Sequence, residues 1–454
     1  MIANDNHSTI VACATPVGIA GIAVIRLSGP NALDYARQFF SKKLIEPQRV
    51  AVGNFVDPVT VTVIDQICLL YFQAPQSYTG QDCIEIHCHS SPYIIKKVIG
   101  VCLQLGAQLA AAGEFTKRAF FNGKLSLTQA ESVIDLIHCE TELQHSVSLN
   151  RVEGKLYKHI IQFRNQYLTI LQQLEASIDF PDEVDAIDRT VVLKTCTNLQ
   201  QQIDKIIQLQ DFGKTISNGI HCVILGRPNA GKSALFNQLL QEDRSIVTPI
   251  EGTTRDYIKE SIEYNGVNIV LYDTAGLRDS SDTVEYLGMQ KVQDLIKKAD
   301  IILWVVDGAS LEQDAEKAIG AMLQQYNNVA LLINKSDLPQ QINKLTEYDF
   351  IFTQQCSIKD SNSIATLKEN IFQYKAIDYQ AQDLEFLCNI RQEACLAQLA
   401  TENSQLLTSL TQVIHDDVLA IEVRKCVEIC SELTGDAITE ELLDGIFARF
   451  CVGK

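Results

Sequence analysis

The stretch that most restricts the fold is "GRPNAGKS", Gly226 to Ser233, set between the apolar run "HCVILG" and the helical run "ALFNQLLQ". A Gly-x-x-x-x-Gly-Lys-Ser loop needs a strand to deliver it and a helix to leave it. Its glycines let backbone N–H groups turn toward an anion at a helix N-terminus, where the helix dipole favours negative charge. The surrounding chain must therefore be α/β. In that setting Lys232 is placed to reach β and γ phosphates, and the Ser233 hydroxyl to ligate Mg²⁺.

Two further motifs close strand-like runs downstream. "DTAG", Asp273 to Gly276, follows "VNIVLY"; Asp273 suits a second-sphere Mg²⁺ role and the Gly276 N–H is placed to sense a γ-phosphate. "VALLINKSD" ends with Asn334, Lys335 and Asp337. A carboxylate at Asp337 accepts hydrogen bonds from the N1–H and exocyclic amine of guanine, whereas adenine would leave it unpaired. These motifs, in this order, point to a guanine nucleotide. Between them, "IEGTTRD" offers Thr253 or Thr254 as a switch threonine whose hydroxyl joins Mg²⁺ when a γ-phosphate is present. The "CSIKD" segment offers Ser357, Ile358 and Lys359 to the base, with a bulky isoleucine where a small residue is expected. The position directly after DxxG, where a glutamine orients the attacking water in small GTPases, holds Leu277. Arg278, Asp279, Asp282 and Glu285 are the nearby candidates for that task, and side-chain chemistry alone does not choose among them.

At 454 residues the chain is too long for one core, and its length suggests about three domains. Hydrophobic residues make up 46% and charged ones 21%, an ordinary globular balance. No apolar run reaches the ~18 residues of a membrane span, and "ADIILWVVDG" reads as a buried strand. The opening residues lack a secretory pattern, which points to the cytoplasm. The 14 cysteines show no paired short spacings and read as buried thiols in a reducing compartment. A net charge of -18 argues against a broad phosphate-binding face, so an RNA substrate would need local patches or a more basic partner.

The texture of the chain changes three times. Strand-like runs ("TIVACATP", "GIAVIRLSG", "VIDQICLLYF", "DCIEIHCH") and the helical "SPYIIKKVIGVCLQLGA" give an α+β or α/β pattern up to about residue 120. Then Leu156, Ile160, Phe163, Tyr167, Ile170, Leu174 and Ile178 step by three or four, one stripe of a helix that Pro181 ends. After the α/β segment that carries the nucleotide motifs, helical texture returns from "FLCNIRQEACLAQLA" to the end. Two helical regions flanking an α/β unit suggest a helical domain with a second domain inserted into it.

With the phosphate loop, "GTTRD", "DTAGLR", "NKSD", "DFPDE", "SYTGQDCIEIHCH", "GEFTKRAFFNGKLSLTQAE" and the terminal Cys-Val-Gly-Lys in place, the sequence resembles the tRNA-modification GTPase MnmE (TrmE) family along its full length. The resemblance implies a multidomain α/β plus all-α chain. Its parts would be an N-terminal α+β folate-binding and dimerisation domain over 1–122, a helical domain in two pieces over 123–216 and 377–454, and a Ras-like G domain over 217–376 inserted between them. It implies a K⁺-stimulated GTP hydrolase acting as a homodimer with the FAD-dependent protein MnmG (GidA), in a heterotetramer, on tRNA and away from membranes. Together the two would add an aminomethyl-type (carboxymethylaminomethyl) group to carbon 5 of the wobble uridine. The one-carbon donor would be 5-formyltetrahydrofolate or another reduced folate, and FAD would enter only through the partner.

Carried over position by position, the likeness places GTP contacts at Asn229, Ala230, Gly231, Lys232, Ser233, Ala234, Thr248, Thr253, Thr254, Asp273, Thr274, Ala275, Gly276, Asn334, Lys335, Asp337, Ser357, Ile358 and Lys359. Mg²⁺ falls to Ser233 and Thr254. K⁺ falls to Asn229, Thr248, Thr253 and the Ile250 carbonyl, with Pro249 and Glu251 in the same loop. The water-orienting glutamate matches Glu285. Folate falls to Arg26, Glu85, Lys124 and Lys454, with Cys451 near the transferred one-carbon group as a candidate nucleophile. By themselves Arg26 and Lys124 would read as solvated charges. The sequence departs from the family pattern where GHGG becomes "CHSS" (Cys88 to Ser91) and the glutamate of TGED becomes Gln81; a Cβ where glycine is expected narrows a close backbone approach. The terminal Cys-Val-Gly-Lys fits prenylation poorly, and a lone cysteine has no partners for a metal. The alternative is a GTP-dependent RNA-binding switch or ribosome-assembly factor, which would want a basic RNA-binding module. A membrane-remodelling GTPase would want an amphipathic membrane element, and none stands out.

Overall fold

In a computed structural model the described residues are 8–183, 185, 187–242, 258–273, 292–310, 313–341, 348–375, 381–412 and 414–453. The chain forms two compact units. One comprises Met1–His138, Ser148–Ile207 and Ile390–Lys454, and the other comprises Cys139–Val147 and Gln208–Asn389.

The first unit opens with a sheet of six strands: β1 (Ile10–Cys13), β2 (Ala20–Ser28), β3 (Val50–Val56), β4 (Val63–Phe72), β5 (Cys83–Ser90) and β6 (Gln108–Leu109). Their order is β3-β4-β5-β2-β1-β6, antiparallel except for the β1–β6 pair. Because side chains alternate along a strand, Ile25 and Leu27 of β2 and Ile84 and Ile86 of β5 face one way. There they join Ala36, Phe39, Val98 and Val101 from the helices Ala32–Phe39 and Pro92–Gln104 in one core. The opposite face carries Arg26, Glu85 and His87, only partly buried.

The helical part of this unit follows from the stripe seen in the sequence. Leu156, Ile160, Phe163, Tyr167, Ile170 and Leu174 are buried along the helix Lys155–Asp179, which stops two residues before Pro181. This helix packs on Asp416–Thr434, which packs in turn on Ile390–Leu410. A polar tie crosses the bundle at Asn403, which has no exposed surface. Its Oδ1 accepts from Tyr167 Oη at 2.9 Å, and its Nδ2 donates to the Cys196 carbonyl at 3.0 Å and to Gln200 Oε1 at 2.8 Å. A second tie joins Glu131 to Arg391, with Nε to Oε1 at 2.6 Å and Nη2 to Oε2 at 3.1 Å, reinforced by the Gln392 amide at 2.7 Å.

The second unit holds β7 (Ile220–Gly226), β8 (Ile258–Tyr264), β9 (Val267–Asp273), β10 (Ile301–Asp307), β11 (Val329–Asn334) and β12 (Thr353–Gln355), in the order β12-β11-β10-β7-β9-β8. All pairs are parallel except β8–β9. The parallel strands β7, β9, β10 and β11 are near-continuous apolar runs, as sheets covered on both faces require. β9 and β10 flank β7 on opposite sides, so the strand order reverses at β7 and its carboxyl end opens a crevice where ligands of such sheets bind. Within the same unit Val147, Leu209, Phe212, Ile216, Leu384 and Leu387 form a separate small core.

All 14 cysteines are free thiols and most are buried. Among the described residues no helix is long and apolar enough to cross a membrane. Asn403→Ala takes the amide acceptor from the buried Tyr167 hydroxyl and the amide donor from Gln200 Oε1, and should cost about 3 kcal/mol of the helical bundle's stability. Urea unfolding followed by circular dichroism checks this; a midpoint equal to wild type would show that the tie contributes nothing.

Candidate functional site

The phosphate loop leaves β7 at Gly226, turns through Asn229 (φ 64°) and Gly231 (φ 94°), and enters the helix Lys232–Glu242. Gly231 is required twice over. Its φ lies in the left-handed region, and a Cβ there would run into the Asn334 side-chain amide. Lys232 is buried and its Nζ donates to the Arg227 carbonyl at 2.7 Å, within the loop itself. The Ser233 hydroxyl donates to Asp273 Oδ2 at the end of β9, 3.0 Å away. Ala230 is buried and Ala234 exposed on the first turn of the helix.

The end expected to read a base is built from β10 and β11, whose last residues Asp307 and Asn334 lie in register. Asn334 is fully buried; its Nδ2 donates to the Ala230 carbonyl at 2.8 Å and its Oδ1 accepts from the Lys335 amide at 2.8 Å. Lys335 adopts φ 61° and its Nζ pairs with Asp307 Oδ2 at 2.6 Å. Asp337 accepts from Lys359 Nζ at 2.7 Å and Ser357 Oγ at 2.9 Å. Lys359 first, and then Ser357, hold its carboxyl below the usual carboxylate range. Asp337 is therefore ionised at neutral pH, the state that accepts from guanine. Ile358, the bulky substitution in this loop, reaches Gly231: its Cδ1 would lie 3.7 Å from a Cβ built there. The larger side chain leans on the phosphate loop.

Thr248, Ile250, Thr253, Thr254, Thr274, Ala275, Gly276, Glu285 and Lys454 lie outside the described residues, as do Leu277, Arg278, Asp279 and Asp282. Two contributors at this site are absent from the motif reading. Asp307 closes the strand "IILWVVD" beside Asn334, a position that parallel pairing makes legible in retrospect. The other is Glu316, on the helix Gln313–Leu323, whose carboxylate takes a hydrogen bond from Trp304 Nε1 at 3.0 Å and lies 3.9 Å from the Arg227 guanidinium. Burial pushes its pKa up. A carboxylate in a helix outside every motif carries no sequence signal.

In the first unit Arg26 and Glu85 are cross-strand neighbours of β2 and β5. Arg26 donates from Nε at 3.1 Å and from Nη2 at 2.8 Å to Glu85 Oε1. Its guanidinium lies 5.6 Å from the ring centroids of both Tyr78 and Phe115. The C-terminal tail reaches the same place: Val452 bridges to Ala112, and the Gly453 carbonyl accepts from Arg26 Nη1 at 3.4 Å. Gly453 has φ 98°, and a Cβ there would come within 2.5 Å of the Cys13 carbonyl. The tail is thus an ordered wall as far as Gly453, with Cys451 exposed. Lys124 donates to the Pro75 carbonyl at 3.1 Å, in the loop that carries Tyr78. His87 Nε2 is buried without a hydrogen-bond partner, 3.6 Å from Glu85 Oε2.

The departures from the family pattern find ordinary roles. Ser91 is extended (φ -116°, ψ 130°), so no left-handed freedom is needed there, and Ser90 Oγ donates to the Gly18 carbonyl at 2.7 Å. Gln81 Oε1 accepts from Ser28 Oγ at 3.1 Å and Arg118 Nη1 at 3.2 Å, while Glu114 supplies the countercharge to the buried Arg118 at 2.8 Å.

Known proteins of similar sequence decide between families. Residues 127–451, more than half of the chain, match the model of the MnmE helical domain, and residues 9–124 match that of the GTP-binding protein TrmE N-terminus. This chain belongs to the MnmE (TrmE) family. It is 36% identical over 459 residues to the tRNA modification GTPase MnmE of Fervidobacterium nodosum, covering 99% of this chain and 98% of that one. To the protein of that name from Alkaliphilus metalliredigens it is 36% identical over 462 residues, covering 98% and 99%. Among solved structures, the G domain of the T. maritima FeoB iron transporter is 25% identical over 35% of this chain and 99% of its own, at a TM-score of 0.26, too low to carry an argument.

The geometry around Asp337 makes a direct prediction. Asp337→Asn should weaken GTP binding about 100-fold, because the amide keeps one acceptor, loses the charge and turns a donor toward a second donor of the base. The same change should improve binding of xanthosine triphosphate, which carries a carbonyl where guanine has its amine. Equilibrium dialysis with both nucleotides checks this, and unchanged GTP affinity would remove Asp337 from base recognition.

Proposed function

We propose that this protein hydrolyses GTP to GDP and phosphate, and that the hydrolysis serves modification of the tRNA wobble uridine. The observation that supports this most is a phosphate loop tied through Asn334 to an ionised Asp337, in a member of a family whose relatives are called tRNA modification GTPases. In this reading Asp337, Ser357 and Lys359 hold guanine, with Asn334, Lys335 and Ile358 shaping the loop around it. Backbone N–H groups of residues 229–234 cradle the phosphates, and Lys232 exchanges the Arg227 carbonyl for them.

Mg²⁺ fits the hard oxygens available, since the Ser233 hydroxyl and the Asp273 carboxylate already lie 3.0 Å apart. Ser233 and Thr254 would hold it directly. Asn229, Thr248, Thr253 and the Ile250 carbonyl would hold K⁺, whose charge offsets that developing on the transferred phosphoryl group. Glu285 would orient the attacking water. Thr274, Ala275 and Gly276 would follow the γ-phosphate.

The face of β2 and β5 suits a reduced folate. Arg26, Lys124 and Lys454 offer cations for its carboxylates, and Glu85 an acceptor for the amidine-like edge of the pterin. The unpartnered His87 Nε2 beside Glu85 is a buried polar atom awaiting a ligand or water. A folate held there, such as 5-formyltetrahydrofolate, supplies the one-carbon unit, with Cys451 exposed on the tail beside it. We further propose that the chain works in the cytoplasm as a homodimer, with an FAD-dependent MnmG (GidA) partner in a heterotetramer, to install the carboxymethylaminomethyl-type group at carbon 5. The more basic charge needed for tRNA would come from local patches or from that partner.

GTP turnover should rise at least about tenfold when K⁺ replaces Na⁺; equal rates in the two salts would remove the cation's role. Glu285→Ala should keep nucleotide binding and lose about 100-fold in hydrolysis, as measured by phosphate release. Mass spectrometry of tRNA nucleosides from cells lacking the protein tests the whole reading. Loss of the modified wobble uridine is expected, and unaltered wobble uridines would favour an RNA-binding switch instead.

A further inference from the structure

Glu316 belongs to no nucleotide motif, yet its carboxylate is almost completely enclosed, with 2% of the side chain exposed. An enclosed carboxylate needs donors or a countercharge to remain ionised. Oε2 accepts from the indole N–H of Trp304 at 3.0 Å. Oε1 faces the guanidinium of Arg227 at 3.9 Å, a charge contact without a formed hydrogen bond. Arg227 is the second residue of the phosphate loop. Its backbone carbonyl is the same one that accepts from Lys232 Nζ.

Trp304 stands next to the root of that loop. It is fully buried on β10, in parallel register with Leu225, the residue before Gly226. Its ring is held edge-on by Tyr348 at 5.7 Å and tilted against Phe350 at 6.1 Å. The indole is therefore fixed by packing, and its N–H donates to the Glu316 carboxylate. It is also the only tryptophan in the chain.

We propose that Glu316 is a positioning residue for the phosphate loop, anchoring Arg227 from outside the loop, and that Trp304 registers through it whether the loop is occupied. The inference rests on the nucleotide-binding reading above. When Lys232 leaves the Arg227 carbonyl for a phosphate, that carbonyl keeps the Ala230 amide at 3.3 Å, and the Arg227 side chain gains anionic charge nearby. The Glu316–Arg227 contact, which comes from outside the loop, then restrains the side chain of the loop's second residue. A change in that contact alters the charge facing the indole N–H, and so its emission.

The test uses the full chain. Saturating GDP with Mg²⁺ should change tryptophan emission reversibly, with a midpoint equal to the dissociation constant found by equilibrium dialysis. Glu316→Gln retains an acceptor for Trp304 but removes the charge facing Arg227. It should weaken GDP binding about fivefold to tenfold and reduce the emission change at saturation to less than a third of wild type. Arg227→Gln, which removes the other end of the contact at a partly buried loop position, should do the same and guards against misfolding at the enclosed Glu316. Restored affinity in Glu316→Asp, relative to Glu316→Gln, would support a charge role over a packing one. GDP bound by dialysis with no emission change in wild type, or full affinity and amplitude in both glutamine variants, overturns the proposal. An absence of GDP binding in wild type would instead overturn the nucleotide reading on which it rests.

Discussion

A single buried amide organises the nucleotide site. Asn334 ends β11, two strands away from β7, yet its Nδ2 holds the Ala230 carbonyl of the phosphate loop. Because Asn334 is fully enclosed, breaking that bond would strand a carbonyl and an amide together. The loop that would grip phosphates and the loop that would read the base are thus fixed relative to one another before any ligand arrives. Gly231 follows from the same contact, since any side chain there would displace the amide. Ile358 packs toward the same glycine from the base-reading side.

Charges around this anchor are arranged in pairs. Lys335 is held by Asp307 and Asp337 by Lys359, so the side chains at the base end are oriented by neighbours at the ends of adjacent strands. Lys232 is satisfied within its own loop, and Ser233 by Asp273. Ligand binding in this arrangement is an exchange of partners. A phosphate would replace a carbonyl at Lys232, and a metal ion would replace the Ser233–Asp273 hydrogen bond. Preformed sites of this kind lose little freedom on binding, which favours affinity.

The first unit uses the opposite logic, because its candidate site is assembled from the two ends of the chain. Arg26 on β2 meets Glu85 on β5 by strand register, and the Gly453 carbonyl comes to the same guanidinium from the far terminus. A backbone with φ 98° against the Cys13 carbonyl leaves room for no residue but glycine at that point. Val452 and Gly453, near a terminus of the kind that is frayed in most chains, are here a structural part of the sheet's open face.

Much of this was legible in the residues. The helix stripe from Leu156 to Leu174 and its end before Pro181 are local facts of periodicity and of a missing N–H. The phosphate loop, "NKSD" and the apolar strands beside them carry their structure in their spacing, as does the strand "IILWVVD". By contrast β3 passes unnoticed in the sequence, because "VAVGNFV" has no clean alternation and only pairing with β4 makes it a strand. Side-chain type and spacing decide what a segment can become, since those constraints act within a few residues. Which partners meet across the fold depends on strand order, register and helix packing. So Asp307 beside Lys335, Glu316 behind Arg227 and Gly453 under Arg26 were decided only by the tertiary structure, in which residues up to 427 positions apart come into hydrogen-bond contact.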